Sequence, residues 1–195
     1  MKGSGGMSKT KKILRSLVVV GVVGAVATAG AFSAFSGQTD NPNNQITAGT
    51  VDVQDNDAGG ALYSIAAAKP NDPKENCIEV KYTGSLPADV KMYRVPGALG
   101  SLGQYANLKV EYGTQASPSF PSCTGFVAAG TLYDSDLPGF ATNYAGGLAA
   151  TPGVDGDWDQ NETLVYRVTV SIDNDPNAEG LNTGTHTLRW EAQNQ

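Results

Sequence analysis

Apolar and polar residues alternate with a period of two over several short runs. Leu164, Tyr166, Val168, Val170 and Ile172 fall on one face, against Arg167, Thr169 and Ser171 on the other. The same alternation appears in Ile78/Val80/Tyr82 against Glu79/Lys81, in Leu108/Val110/Tyr112 against Lys109/Glu111, and in His186/Leu188/Trp190/Ala192 against Thr187/Arg189/Glu191. A period of two with one polar face predicts half-buried antiparallel strands. Turn chemistry separates the runs at Lys69-Pro70-Asn71-Asp72-Pro73, Thr83-Gly84-Ser85, Pro96-Gly97, Ser117-Pro118, Pro138-Gly139 and Asn174-Asp175-Pro176. No long amphipathic helical pattern is present. The predicted fold is therefore all-β: an antiparallel β-sandwich, jelly-roll-like, with long loops and at most short helices. Residues 131–159 show little alternation and contain Gly139, Gly146, Gly147, Gly153 and Gly156. This stretch reads as long surface loops, with a short helix near 132–137.

The first 33 residues have a different character. Lys9, Lys11, Lys12 and Arg15 form a basic stretch, residues 17–29 (LVVVGVVGAVATA) are apolar and rich in small side chains, and Ala31-Phe32-Ser33 precedes Ala34. That order is the order of an export signal, with cleavage between Ser33 and Ala34. A retained membrane anchor is the competing reading, because no charge interrupts 16–39. The Gly/Ala-diluted core favours cleavage, which leaves no stable membrane span. Met7 is a candidate true start. The organisation expected is a signal peptide at 1–33, a mature N-terminal segment at 34–47 and a single β-sandwich domain at 48–195.

Charge sharpens this division. The whole chain has 13 Lys+Arg and 19 Asp+Glu, a formal net charge of −6. Five of the basic residues precede residue 16 and the first acidic residue is Asp40, so cleavage leaves eight basic residues against all nineteen acidic ones, about −11. A body of that charge is repelled by nucleic acid and by anionic membrane surfaces, whose binding depends on Lys and Arg. Acidic subunits that stack must also overcome repulsion through strand pairing, screening salt or bridging cations.

Export places Cys77 and Cys123, the chain's two cysteines, in an oxidising compartment where a disulfide is favoured; two buried unpaired thiols are the alternative. One His and two distant Cys supply no recognisable zinc spacing. Asp155, Asp157 and Asp159, together with Asp173 and Asp175, are hard oxygen ligands at short spacing and form the candidate calcium residues, although none fits the EF-hand register. Solvated acidic loops are the plainer reading. Apart from calcium, no cofactor is expected.

Three ordered segments resemble the TasA/camelysin family. Gly30-Ala-Phe-Ser-Ala-Phe-Ser36 followed by Ile46-Thr-Ala-Gly-Thr-Val-Asp-Val53 is similar to the family's cleavage region and first strand. Ala68-Lys-Pro-Asn-Asp72, the run from Ile78 to Tyr82 and Thr83-Gly-Ser85 are similar to its loop-strand signature. Glu179-Gly-Leu-Asn182 and Leu188-Arg-Trp-Glu-Ala-Gln193 are similar to its C-terminal pattern. The resemblance implies a secreted jelly-roll protein of the bacterial cell surface or biofilm matrix. It further implies export through a dedicated signal peptidase and self-assembly into fibres by donor-strand addition, with a minor fibre subunit or an anchoring protein as further candidate partners. The donor would be the 34–47 segment, with Ala34, Phe35 and Ile46 as its apolar contacts. Its middle is polar, and Pro42 cannot donate a ladder hydrogen bond. Camelysin-like relatives suggest a surface metallopeptidase as the alternative. Against that stand a single His186, on the face of Leu188 and Trp190, and the lack of an H-E-x-x-H helix. No catalytic residue is assigned. A monomeric calcium-dependent surface-binding module is the third reading.

Overall fold

The computed structural model describes residues 45–194. The chain divides into two units at Thr47/Ala48, and the second carries every element below. The export signal, its cleavage point at Ser33 and Ala34, and the donor residue Phe35 lie outside the described residues. Ile46 lies within them and is 99% exposed.

Eight strands form: β1 (Val53–Asp55), β2 (Lys74–Tyr82), β3 (Ala88–Arg94), β4 (Ala106–Gln115), β5 (Phe126–Asp136), β6 (Leu148–Ala149), β7 (Thr163–Ile172) and β8 (Leu188–Asn194). They make two antiparallel sheets, ordered β1-β2-β7-β4-β5 and β6-β3-β8, which together form the expected all-β sandwich. Among the described residues the helical content is three short 3₁₀ turns, at Ser101–Tyr105, Leu137–Gly139 and Pro176–Ala178. Among the described residues no helix is long and apolar enough to cross a membrane.

The alternating runs set the register. In β7 the inward row is Leu164, Tyr166 and Val168, which pair with Val80, Ile78 and Asn76 of β2 on one side; Tyr166 and Val168 pair with Tyr112 and Val110 of β4 on the other. A slip of one residue would turn this whole row outward, so the buried face holds the pairing in place. Val90 and Met92 of β3 close the core from the smaller sheet.

Two expectations for the middle of the chain are corrected. Residues 131–136 belong to β5 and not to a loop or a helix, and the helical turn begins only at Leu137. β5 is an edge strand paired to β4 alone, and most of its side chains are exposed, so neither face carries an apolar row. Register shifts interrupt the β4–β5 pairing between Val110 and Glu111 and between Tyr112 and Gly113. At the second, Gly113 is required by close approach: a Cβ there would run into the Val127 carbonyl.

Cys77 and Cys123 stand at disulfide distance, S–S 2.22 Å with Cα atoms 5.0 Å apart, and join β2 to the β4–β5 connection. The Cys77 amide also donates to the Pro121 carbonyl at 3.0 Å. A closed loop of this sequence separation, 46 residues, removes chain entropy worth roughly 3–4 kcal/mol from the unfolded state.

Candidate functional site

The sandwich is open along one seam. Among the described residues, β1 is three residues long and pairs only with β2, while β8 pairs only with β3 and has no strand on its other edge. Against this seam lies a cavity of about 1420 Å³. Ile78, Val80 and Leu108 form its floor, Leu188 and Trp190 of β8 form one wall, and residues from the 54–70 and 171–187 segments cover it. A β-sheet edge leaves backbone N–H and C=O groups available to another strand. The seam therefore combines an unpaired edge with an apolar floor.

One end of the cavity carries its polar chemistry. His186 precedes β8 and is half-buried; its Nε2 lies 2.5 Å from the Tyr63 hydroxyl, and the two rings meet at 5.5 Å. Burial, with a smaller contribution from the Arg94 charge, holds the His186 pKa below its usual value, while the Gly184 carbonyl works in the other direction. Burial pushes the Tyr63 hydroxyl up to about 12 although the Arg94 charge pulls it down, so Tyr63 keeps its proton across the physiological range. The imidazole is thus engaged by both the Tyr63 hydroxyl and the Gly184 carbonyl. Its Tyr63 partner, 123 residues away in sequence, left no local signal.

The aspartates singled out for calcium sit in two loops. Asp173 accepts from Asn107 Nδ2 at 2.6 Å, and Asp175 accepts from the Asn177 amide at 2.8 Å and from its side chain at 2.9 Å. Asp155 and Asp159 are exposed and Asp157 is partly buried; they flank Trp158, which the sequence reading did not single out. Trp158 is 0% exposed, exchanges two backbone hydrogen bonds with Ala88 at 2.9 and 3.2 Å, and donates its indole N–H to the Ala150 carbonyl at 2.8 Å. Among the described residues no group of three or more His, Cys, Asp or Glu side chains is placed to hold a metal ion.

On the outer face of the larger sheet, a charge cluster sits beside the disulfide. Arg167 Nη2 lies 2.7 Å from Glu111, its Nε donates to the same carboxylate at 2.8 Å, and the guanidinium stacks 4.8 Å from the Phe126 ring. Lys109 adds a contact to Glu111 at 3.1 Å. Burial alone would raise the Glu111 pKa, but the hydrogen bonds and charges of Arg167 and Lys109 outweigh it and hold the carboxyl below the usual range. This cluster is closed on itself and offers nothing to a ligand. No protein-family model and no curated protein matches the chain.

Proposed function

We propose that this protein is a secreted, non-enzymatic structural protein of the bacterial cell surface or extracellular biofilm matrix, of the TasA/camelysin kind, and that it builds fibres by donor-strand addition. The observation that carries the reading is the seam, where the β8 edge, unpaired among the described residues, lies beside the apolar floor of Ile78, Val80 and Leu108. The occupant is the 34–47 segment of a second copy. Its fourteen residues reach about 45 Å when extended, enough to leave one subunit and run the length of seven-residue β8 on the next. Main-chain bonds along β8 supply affinity, and the apolar Ala34, Phe35 and Ile46 supply contacts at the segment's ends. Each subunit offers one donor and one acceptor, so the pairing is head-to-tail and yields filaments.

Cleavage after Ser33 frees the donor, which makes export through the signal peptidase the trigger for assembly. Electron microscopy of the chain beginning at Ala34, beside a chain beginning at Ile46, tests the proposal. Fibres from the first and none from the second are expected. Monomers from both, or fibres from both, would overturn it.

A further inference from the structure

The two segments that cover the seam cavity are fastened differently. The 171–187 segment is held by backbone hydrogen bonds to the rest of the fold: the Gly100 amide donates to the Thr183 carbonyl at 2.7 Å, the Leu102 amide to the Asn182 carbonyl at 3.0 Å, the Val95 amide to the Thr187 carbonyl at 2.8 Å, and the Asp173 amide to the Tyr105 carbonyl at 2.8 Å. Residues 58–68 of the other segment have no such anchors. Among the described residues their one backbone–backbone hydrogen bond is local, from the Gly60 amide to the Asp57 carbonyl at 2.9 Å. Two side-chain contacts tie them down: Asn76 Nδ2 donates to the Leu62 carbonyl at 2.6 Å, and the Tyr63 hydroxyl meets His186 Nε2 at 2.5 Å. Few backbone bonds mark a segment that opens at low cost.

The composition and the backbone of this stretch agree. Residues 58–68 (AGGALYSIAAA) carry no charge in an otherwise acidic chain. Leu62, Tyr63 and Ile65 are half-buried, the first two packed against the core, while Ala61, Ser64 and Ala66 are exposed. An alanine near each end holds a left-handed conformation, with φ 52° at both Ala58 and Ala67. A Cβ makes that conformation unfavourable, and such residues persist where their surroundings impose them, often in segments that switch.

We propose that residues 58–68 are a strap that closes the seam of the free subunit, latched by Tyr63 on His186, and that it swings aside at Ala58 and Ala67 to admit a strand. Resting on the reading of the seam as a strand acceptor, the strap sets when that acceptor is available. Closed, it lies over the floor of Ile78, Val80 and Leu108. Opening breaks two hydrogen bonds and exposes Leu62 and Tyr63, but it also lets two strained alanines relax. An entering strand binds the open form alone and so shifts the balance toward it.

Limited chymotrypsin digestion of the chain beginning at Ala34, dilute enough to stay monomeric, tests the strap. Cleavage after positions 62 and 63 tracks the open population. Tyr63→Phe keeps the cleavage site and deletes the latch, so strap cleavage is expected to be about fivefold faster, as the loss of one hydrogen bond requires. Ala67→Gly relieves strain in the closed form and is expected to slow it about threefold. Cleavage after Tyr166 in central β7 reports global unfolding and is expected to be the same in all three chains. Either substitution leaving strap cleavage unchanged, or moving it in step with Tyr166 cleavage, would overturn the strap. A labelled 34–47 peptide, followed by fluorescence anisotropy, is expected to associate faster with Tyr63→Phe and slower with Ala67→Gly in the same proportions. One association rate for all three chains would overturn the strap as a gate. Strap cleavage that responds as expected while the peptide fails to bind would instead overturn the acceptor reading.

Discussion

The two tryptophans separate a finished region of this molecule from an unfinished one. Trp158 is wholly buried, its indole N–H is bonded to Ala150, and its backbone is locked to Ala88. Trp190 is only half-buried, and its indole meets the Tyr166 ring at 5.5 Å at the cavity wall. Two arginines repeat the contrast. Arg167 is matched by Glu111 and stacked on Phe126, while Arg94 is more deeply buried, donates to the Gly97 carbonyl and has no ion-pair partner among the described residues. Around Trp158 and Glu111 the buried polar side chains are matched by partners within the chain. Along the seam the β8 edge has no partner strand among the described residues, which is what an acceptor for another strand requires.

The largest effect that can break this comparison is at the tryptophans. Trp158→Ala should cost about 3–5 kcal/mol through lost burial and cavity formation, whereas Trp190→Ala should cost less than half as much. Denaturant unfolding midpoints measure both, and equal costs would show that the seam is as complete as the core. The arginines come next. Arg167→Met should destabilise by about 1–3 kcal/mol because it leaves the buried Glu111 carboxylate with Lys109 alone, while Arg94→Met should cost less because only the Gly97 carbonyl loses its donor. A larger loss at Arg94 would reveal a counter-ion within the chain.

The smallest effect is a pH dependence. The folded Glu111 carboxyl binds its proton less readily than the unfolded one. Its contribution is therefore present above the ordinary carboxylate range and is lost as pH falls through the lower folded value. Acid titration of stability should be shallower in Glu111→Gln. An unchanged profile would remove this pair from the finished region's accounting.

What could be read from the sequence follows the same division. The run from Leu164 to Ile172 announced itself because β7 is central, buried on its inward face and polar on the other. β5 did not, because Ala128, Ala129 and Thr131 are exposed on an edge strand and need no periodic pattern. In β3 the apolar row of Ala88, Val90 and Met92 ends on Arg94, so its last inward position reads as surface until the structure buries it. Asp157 and Asp159 drew attention to calcium, yet the residue that organises their loop is the tryptophan between them. The alternation from His186 to Ala192 placed His186, Leu188 and Trp190 on one face of the chain. What it could not show was that Tyr63 meets His186 there, because that contact depends on how distant segments pack.

The most direct test is hydrogen exchange on the chain beginning at Ala34, comparing monomer with assembled material. The account predicts that the amides of Leu188–Asn194 in β8 become strongly protected on assembly, while those of central β7 change little. Protection appearing along the other exposed edge, β5, with β8 left unprotected, would contradict it.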